Sequence, residues 1–162
     1  MMTGTPSVNN LLAIYHAVTL LFLLFIALYD AKHHKIRNTA LFALFLWCLI
    51  SIPVTIHVLP SVTLAYMFFR CSFGFITGFF LLLFISVTTN GSIGGGDIKL
   101  TGLLGILYGA LGLMAVLIIA CLLVLLHYLF YKFLKRRNME SIPFAPYLFW
   151  GCIIYILPQL FT

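Results

Sequence analysis

The chain has 162 residues, 64% of them apolar and only 7% charged, with a mean hydropathy of +1.18. Soluble domains are about half apolar and about a quarter charged, so composition excludes a soluble globular protein and points to a polytopic membrane protein. The net charge of +6 does not indicate nucleic acid, because the basic residues cluster beside apolar runs, as anchoring charges do.

At about 20 residues per crossing, the length accommodates roughly six spans joined by short loops. The first apolar run covers residues 11–29 and is preceded by residues without Lys or Arg, so it does not read as a secretory signal. Lys32, Lys35 and Arg37 follow it and, by the positive-inside rule, place residues 30–38 in the cytoplasm and the N-terminus outside. The second run covers 39–58, with Pro53 as a possible kink. Leu59-Pro60-Ser61 reads as an external turn. The third run covers 63–88; Arg70 near its outer end is expected to snorkel, and Gly74 and Gly78 form a face for close helix contact. Residues 89–99 make a second cytoplasmic loop. A short fourth run (98–111) carries glycines at 102, 105, 109 and 112 along one face, a pattern that predicts tight packing. The fifth run (113–131) ends at Lys132, Lys135, Arg136 and Arg137. The last (143–160) opens with Ser141 as a candidate cap and Pro143 in its first turn. The expected fold is therefore an all-α, single-domain membrane bundle of six helices with the N-terminus outside.

The chain contains only three acidic residues, Asp30, Asp97 and Glu140. A carboxylate at a membrane edge is costly to desolvate and is a functional candidate for that reason. Asp30 and Asp97 both sit at cytoplasmic ends of spans, at one depth. Such a pair fits aspartic peptidase chemistry, in which one carboxylate takes a proton from water and the other hydrogen-bonds the scissile carbonyl. Gly94, Gly95 and Gly96 precede Asp97; they are expected to let the backbone take positive φ and approach a substrate strand closely. The helix beginning there points amide donors at developing negative charge. Lys99 reads as an anchor beside Asp97. Glu140 reads as a solvated partner of Arg136 or Arg137. His16, His57 and His127 are scattered and read as packed or interfacial. The four isolated cysteines read as small buried side chains, and neither a metal site nor a cofactor is expected.

Gly94-Gly-Gly-Asp97-Ile-Lys99 resembles the GxGD-x-K signature of the type IV prepilin peptidases. In that family an Asp at a span end is followed by Ile-Pro-Asn; here Asp30 is followed by Ile36-Arg37-Asn38, with Arg37 replacing the proline. A third pattern, Pro-Phe-Gly/Ala-Pro, matches Pro143-Phe144-Ala145-Pro146. The resemblance implies a bacterial cytoplasmic-membrane aspartic endopeptidase that removes the leader of prepilins or pseudopilins in type IV pilus or secretion systems, with Asp30 and Asp97 catalytic. It makes Asn38, Gly94, Gly95, Gly96, Lys99, Pro143 and Pro146 candidates for substrate binding or for shaping the site. Lipid and the pilin substrate are the expected partners. Larger family members carry a cytoplasmic domain with paired cysteines associated with N-methylation; this chain has no such pair, so peptidase activity alone is expected, as in the short members of tight-adherence systems.

Two other readings compete. A presenilin-like protease also pairs Tyr-Asp, here Tyr29-Asp30, with GxGD, but sets its aspartates deeper in the bilayer. A small proton-coupled transporter subunit would use paired acids as a relay and carry polar residues through its spans.

Overall fold

The computed structural model describes residues 6–58, 63–135 and 143–160. Five α-helices follow one another: α1 (Pro6–His33), α2 (Asn38–Val58), α3 (Leu64–Thr88), α4 (Gly95–Lys135) and α5 (Ala145–Leu160). Among the described residues α1, α3 and α4 are long and apolar enough to cross a membrane, and α2 and α5 are shorter apolar helices. Outward-facing side chains include Phe68, Phe69, Phe84, Leu111 and Phe133, all well exposed. A surface this apolar matches lipid rather than water, and the protein is a multi-pass membrane protein.

The helix count differs from the six expected. The fourth and fifth runs form one element, α4, broken only at Gly109 (φ 70, ψ 175). That backbone conformation is open to glycine and strained for other residues, so a single residue does the work of a loop. The break is a reversal. A Cβ added to Gly78 would meet both the Thr101 carbonyl oxygen, at 2.6 Å, and Leu113 Cδ2, at 2.7 Å. A straight helix would separate residues 101 and 113 by about 18 Å. The first half of α4 runs antiparallel to α3, with Gly78 against Thr101, Gly74 against Gly105 and Arg70 against Gly109. The second half then turns back along α3.

Arg70 does not simply reach for the interface. Its Nη2 donates to the Leu107 carbonyl at 3.4 Å, beside the break. The glycines of α4 pack as their spacing predicts: Gly102 lies under Phe75, and Gly112 against the Tyr155 hydroxyl of α5.

α5 fits between α1 and α4, while α2 packs on α4 and α1 and scarcely touches α3. The core between them is built from Leu23, Ile26, Leu44, Leu100, Leu104, Leu113, Val116, Leu148 and Ile156. The interior is less uniformly apolar than the sequence reading assumes, since His16, Thr19, Ser51 and Thr101 are buried. Thr19 donates to the Tyr15 carbonyl and accepts from Trp47 of α2, Ser51 donates to the Cys48 carbonyl, and Thr101 to that of Asp97, whereas His16 Nδ1 is buried without a partner. α2 continues through Pro53 to Val58. Cys48, Cys71 and Cys152 are buried, whereas Cys121 is exposed on the outer face of α4. Leu59-Pro60-Ser61, Arg136, Arg137, Glu140, Ser141 and the side chain of His57 lie outside the described residues.

Candidate active site

One end of the bundle gathers the residues singled out by sequence. α1 runs past Tyr29 to His33, so Asp30 lies in the last helical turn rather than in the loop, and it is only 5% exposed. His34 (φ 51) closes the helix by donating its amide to the Asp30 carbonyl at 2.8 Å. The loop then passes Ile36 and Arg37. Arg37 stands over the Tyr29 ring at 5.6 Å, a cation–π contact that anchors the loop where the family has proline. Its carbonyl accepts from Ala40 and Leu41 and starts α2.

The second wall is the turn before α4. Asn90 (φ 53) and Gly91 (φ 80) terminate α3, and Ser86 Oγ donates to the Ile93 carbonyl at 3.2 Å. The Gly94 carbonyl accepts the amides of Asp97 and Ile98, making Gly94 the cap. Gly95 and Gly96 are thus helical, and the only glycines with positive φ among the described residues are Gly91 and Gly109. The expected positive φ at 94–96 is corrected accordingly. These glycines serve close approach instead. A Cβ on Gly96 would stand 2.8 Å from Ile36 Cβ, so the two loops interlock there, whereas the side-chain direction of Gly95 is open. Lys99 Nζ donates to Asn38 Oδ1 at 3.4 Å, tying the start of α4 to the start of α2. Asn38 and Lys99 form the mouth of an open groove of about 340 Å³ between α2 and α3, lined by phenylalanines 42, 45, 75 and 79.

Asp97 is half-buried in the first turn of α4, with Oδ1 enclosed and without a hydrogen-bond partner. Asp30 is near enough to act on it electrostatically. α1 and α4 make no close backbone approach, so the two Cα atoms stand more than 8 Å apart. The two aspartates thus lie at the same end of the bundle, on helices separated in sequence, within electrostatic range of each other. Residues 17–129, spanning both aspartates and their flanking motifs, match the family described as type IV leader peptidases.

The chain belongs to the type IV leader peptidase family.

As a member it is a peptidase of the membrane. No curated protein and no solved structure matches the chain. The family match ends before Pro143, yet the third pattern reaches the same site. α5 begins at Ala145, two residues later than expected; Pro143 precedes it and Pro146 lies in its first turn, where a missing N–H is tolerated. The buried Ala145 amide donates to Asp30 Oδ2 at 3.2 Å. Sequence reasoning passed over this donor, although the signal was present: two of the four residues of Pro-Phe-Ala-Pro have no N–H to give. His127, read from sequence as packed or interfacial, contacts the Tyr147 hydroxyl near the start of α5.

Proposed function

We propose that the chain is an aspartic endopeptidase that cuts the leader from prepilin-like or pseudopilin substrates at the cytoplasmic face of the bacterial inner membrane. The observation that carries this reading is the placement of Asp30 and Asp97, the only two aspartates of the chain, at one end of the bundle within electrostatic range of each other. The positive clusters flanking the helices support a cytoplasmic setting for that end and an external N-terminus.

In this reading a water between the carboxylates attacks the scissile carbonyl carbon. One aspartate takes the water proton while the other, protonated, gives its proton to the carbonyl oxygen. The tetrahedral diol then collapses. The C–N bond breaks, the first aspartate returns its proton to the leaving nitrogen, and a hydroxyl proton restores the second. The start of α4 faces this chemistry with helix-terminal amides, which stabilise negative charge. The open side of Gly95 supports approach of an extended substrate backbone at that point. Cleavage without N-methylation is part of the proposal and is supported by the four separated cysteines.

The test is immunoblotting for precursor and mature pilin in cells making wild type, Asp30→Asn or Asp97→Asn at matched levels. Loss of the mature form in both variants is expected. Full processing by either one rules out the two-aspartate mechanism.

A further inference from the structure

The two aspartates are held unequally. Asp30 Oδ2 accepts a buried N–H, and Asp97 Oδ1 is enclosed with no donor. The donor to Asp30 is rigidly set. Ala145 opens α5, where the first amides of any helix lack partners inside it. Pro143 and Pro146 have no N–H, and the amide of Tyr147 is taken by the Phe144 carbonyl at 3.1 Å. Of the two N–H groups that Pro-Phe-Ala-Pro keeps, those of Phe144 and Ala145, the Ala145 amide is the one that the α5 backbone aims at a carboxylate oxygen. A fixed N–H donor stabilises the negative charge of the oxygen that accepts it and so favours the ionised carboxylate. An enclosed carboxylate oxygen without any donor is costly as an anion and carries a proton at less cost.

Resting on the aspartic-peptidase reading, we infer that the Ala145 backbone amide is a positioning group that makes Asp30 the base and leaves Asp97 to hold the proton given to the scissile carbonyl. The Pro-Phe-Ala-Pro segment is then more than a helix start. It delivers one amide and withholds others.

Because the chain has only two aspartates, labelling aspartate with ¹³C at the side-chain carboxyl gives two signals from the intact protein in lipid. At neutral pH one signal should lie at the protonated position and one at the ionised position. Asp97→Asn should abolish the protonated signal. If it abolishes the ionised one, or if both signals are ionised in wild type, the inference is overturned. This outcome is independent of cleavage, so it is distinguishable from failure of the peptidase reading, which the immunoblot decides. Ala145→Pro removes the N–H at a helix position that accepts proline, and Ala145→Gly keeps it. With a precursor peptide as substrate, Ala145→Pro should lower kcat about 10- to 100-fold, the range for lost supporting contacts, with KM unchanged, and should move the ionised signal. Ala145→Gly should stay within a few-fold of wild type. A folded Ala145→Pro with wild-type kcat, or equal losses in both variants, overturns the positioning role; if Ala145→Pro does not fold, the wild-type and Asp97→Asn spectra still decide.

Discussion

Gly74 of α3 and Gly105 of α4 meet backbone to backbone: a Cβ on either would overlap the carbonyl of the other. Four residues on along α3, Gly78 repeats the contact against Thr101. This seam holds the first half of α4 in the register that brings Asp97 to its place. Gly74→Val or Gly105→Val should therefore cost more than the ~1–3 kcal/mol usual for overpacking, because backbone and not side chain must move. Gly95→Ala, with open space around it, should be neutral for stability. Thermal unfolding in detergent checks both.

The two carboxylates should act as a unit. Asp30→Asn and Asp97→Asn are each expected to abolish processing, and the double variant to be little worse than either, since residues sharing one step are not additive. Asp→Glu at either site should also fail largely, as an extra methylene displaces the carboxylate. Glu140→Gln should process normally. Initial rates with purified protein would show an additive double variant if the aspartates worked separately.

Gly96 and Ile36 form a lock between the two loops. Gly96→Val places carbon atoms where Ile36 stands, the present clearance for a Cβ being 2.8 Å. Processing should fall at unchanged protein level, and Ile36→Ala in the same chain should restore part of it. A double variant as impaired as Gly96→Val alone would argue against this contact.

The reversal in α4 gives a topological prediction. Reporter fusions after Lys35, Gly95 and Asn138 should all read cytoplasm, and fusions near Pro60 and near Ala110 should read outside. Gly109→Ala should destabilise by ~1–3 kcal/mol through its disallowed φ. An external signal at Gly95 would sink the arrangement.

Much of this was legible because membrane proteins restrict their polar residues. Two aspartates at the ends of apolar runs pointed to the candidate site, and a four-residue glycine spacing marked the α3–α4 seam. What stayed hidden depends on backbone atoms. The Ala145 amide has no side-chain signature, and the use of Gly96 for Ile36 depends on which loops meet. Hydropathy likewise cannot separate two helices joined by a loop from two halves of α4 joined at Gly109, because the polarity of a single glycine scarcely changes the average. The end of the fourth run near Gly109 was legible from the glycines, whereas the Arg70 bond to the Leu107 carbonyl, made to a backbone atom, was not.

The turn at Gly109 also bears on how the chain enters the bilayer. The segment Gly95–Phe133 is one apolar stretch of 39 residues with no polar loop inside it. A translocation apparatus sees no hydrophilic stop between its halves. Lys99 at one end and Lys132 at the other, brought to the same side by the reversal, hold both ends back. An apolar stretch of this length, with a bend at Gly109 and a basic residue near each end, suits insertion as a bent hairpin. Charges added at that corner would burden biogenesis even in a protein whose finished structure tolerates them.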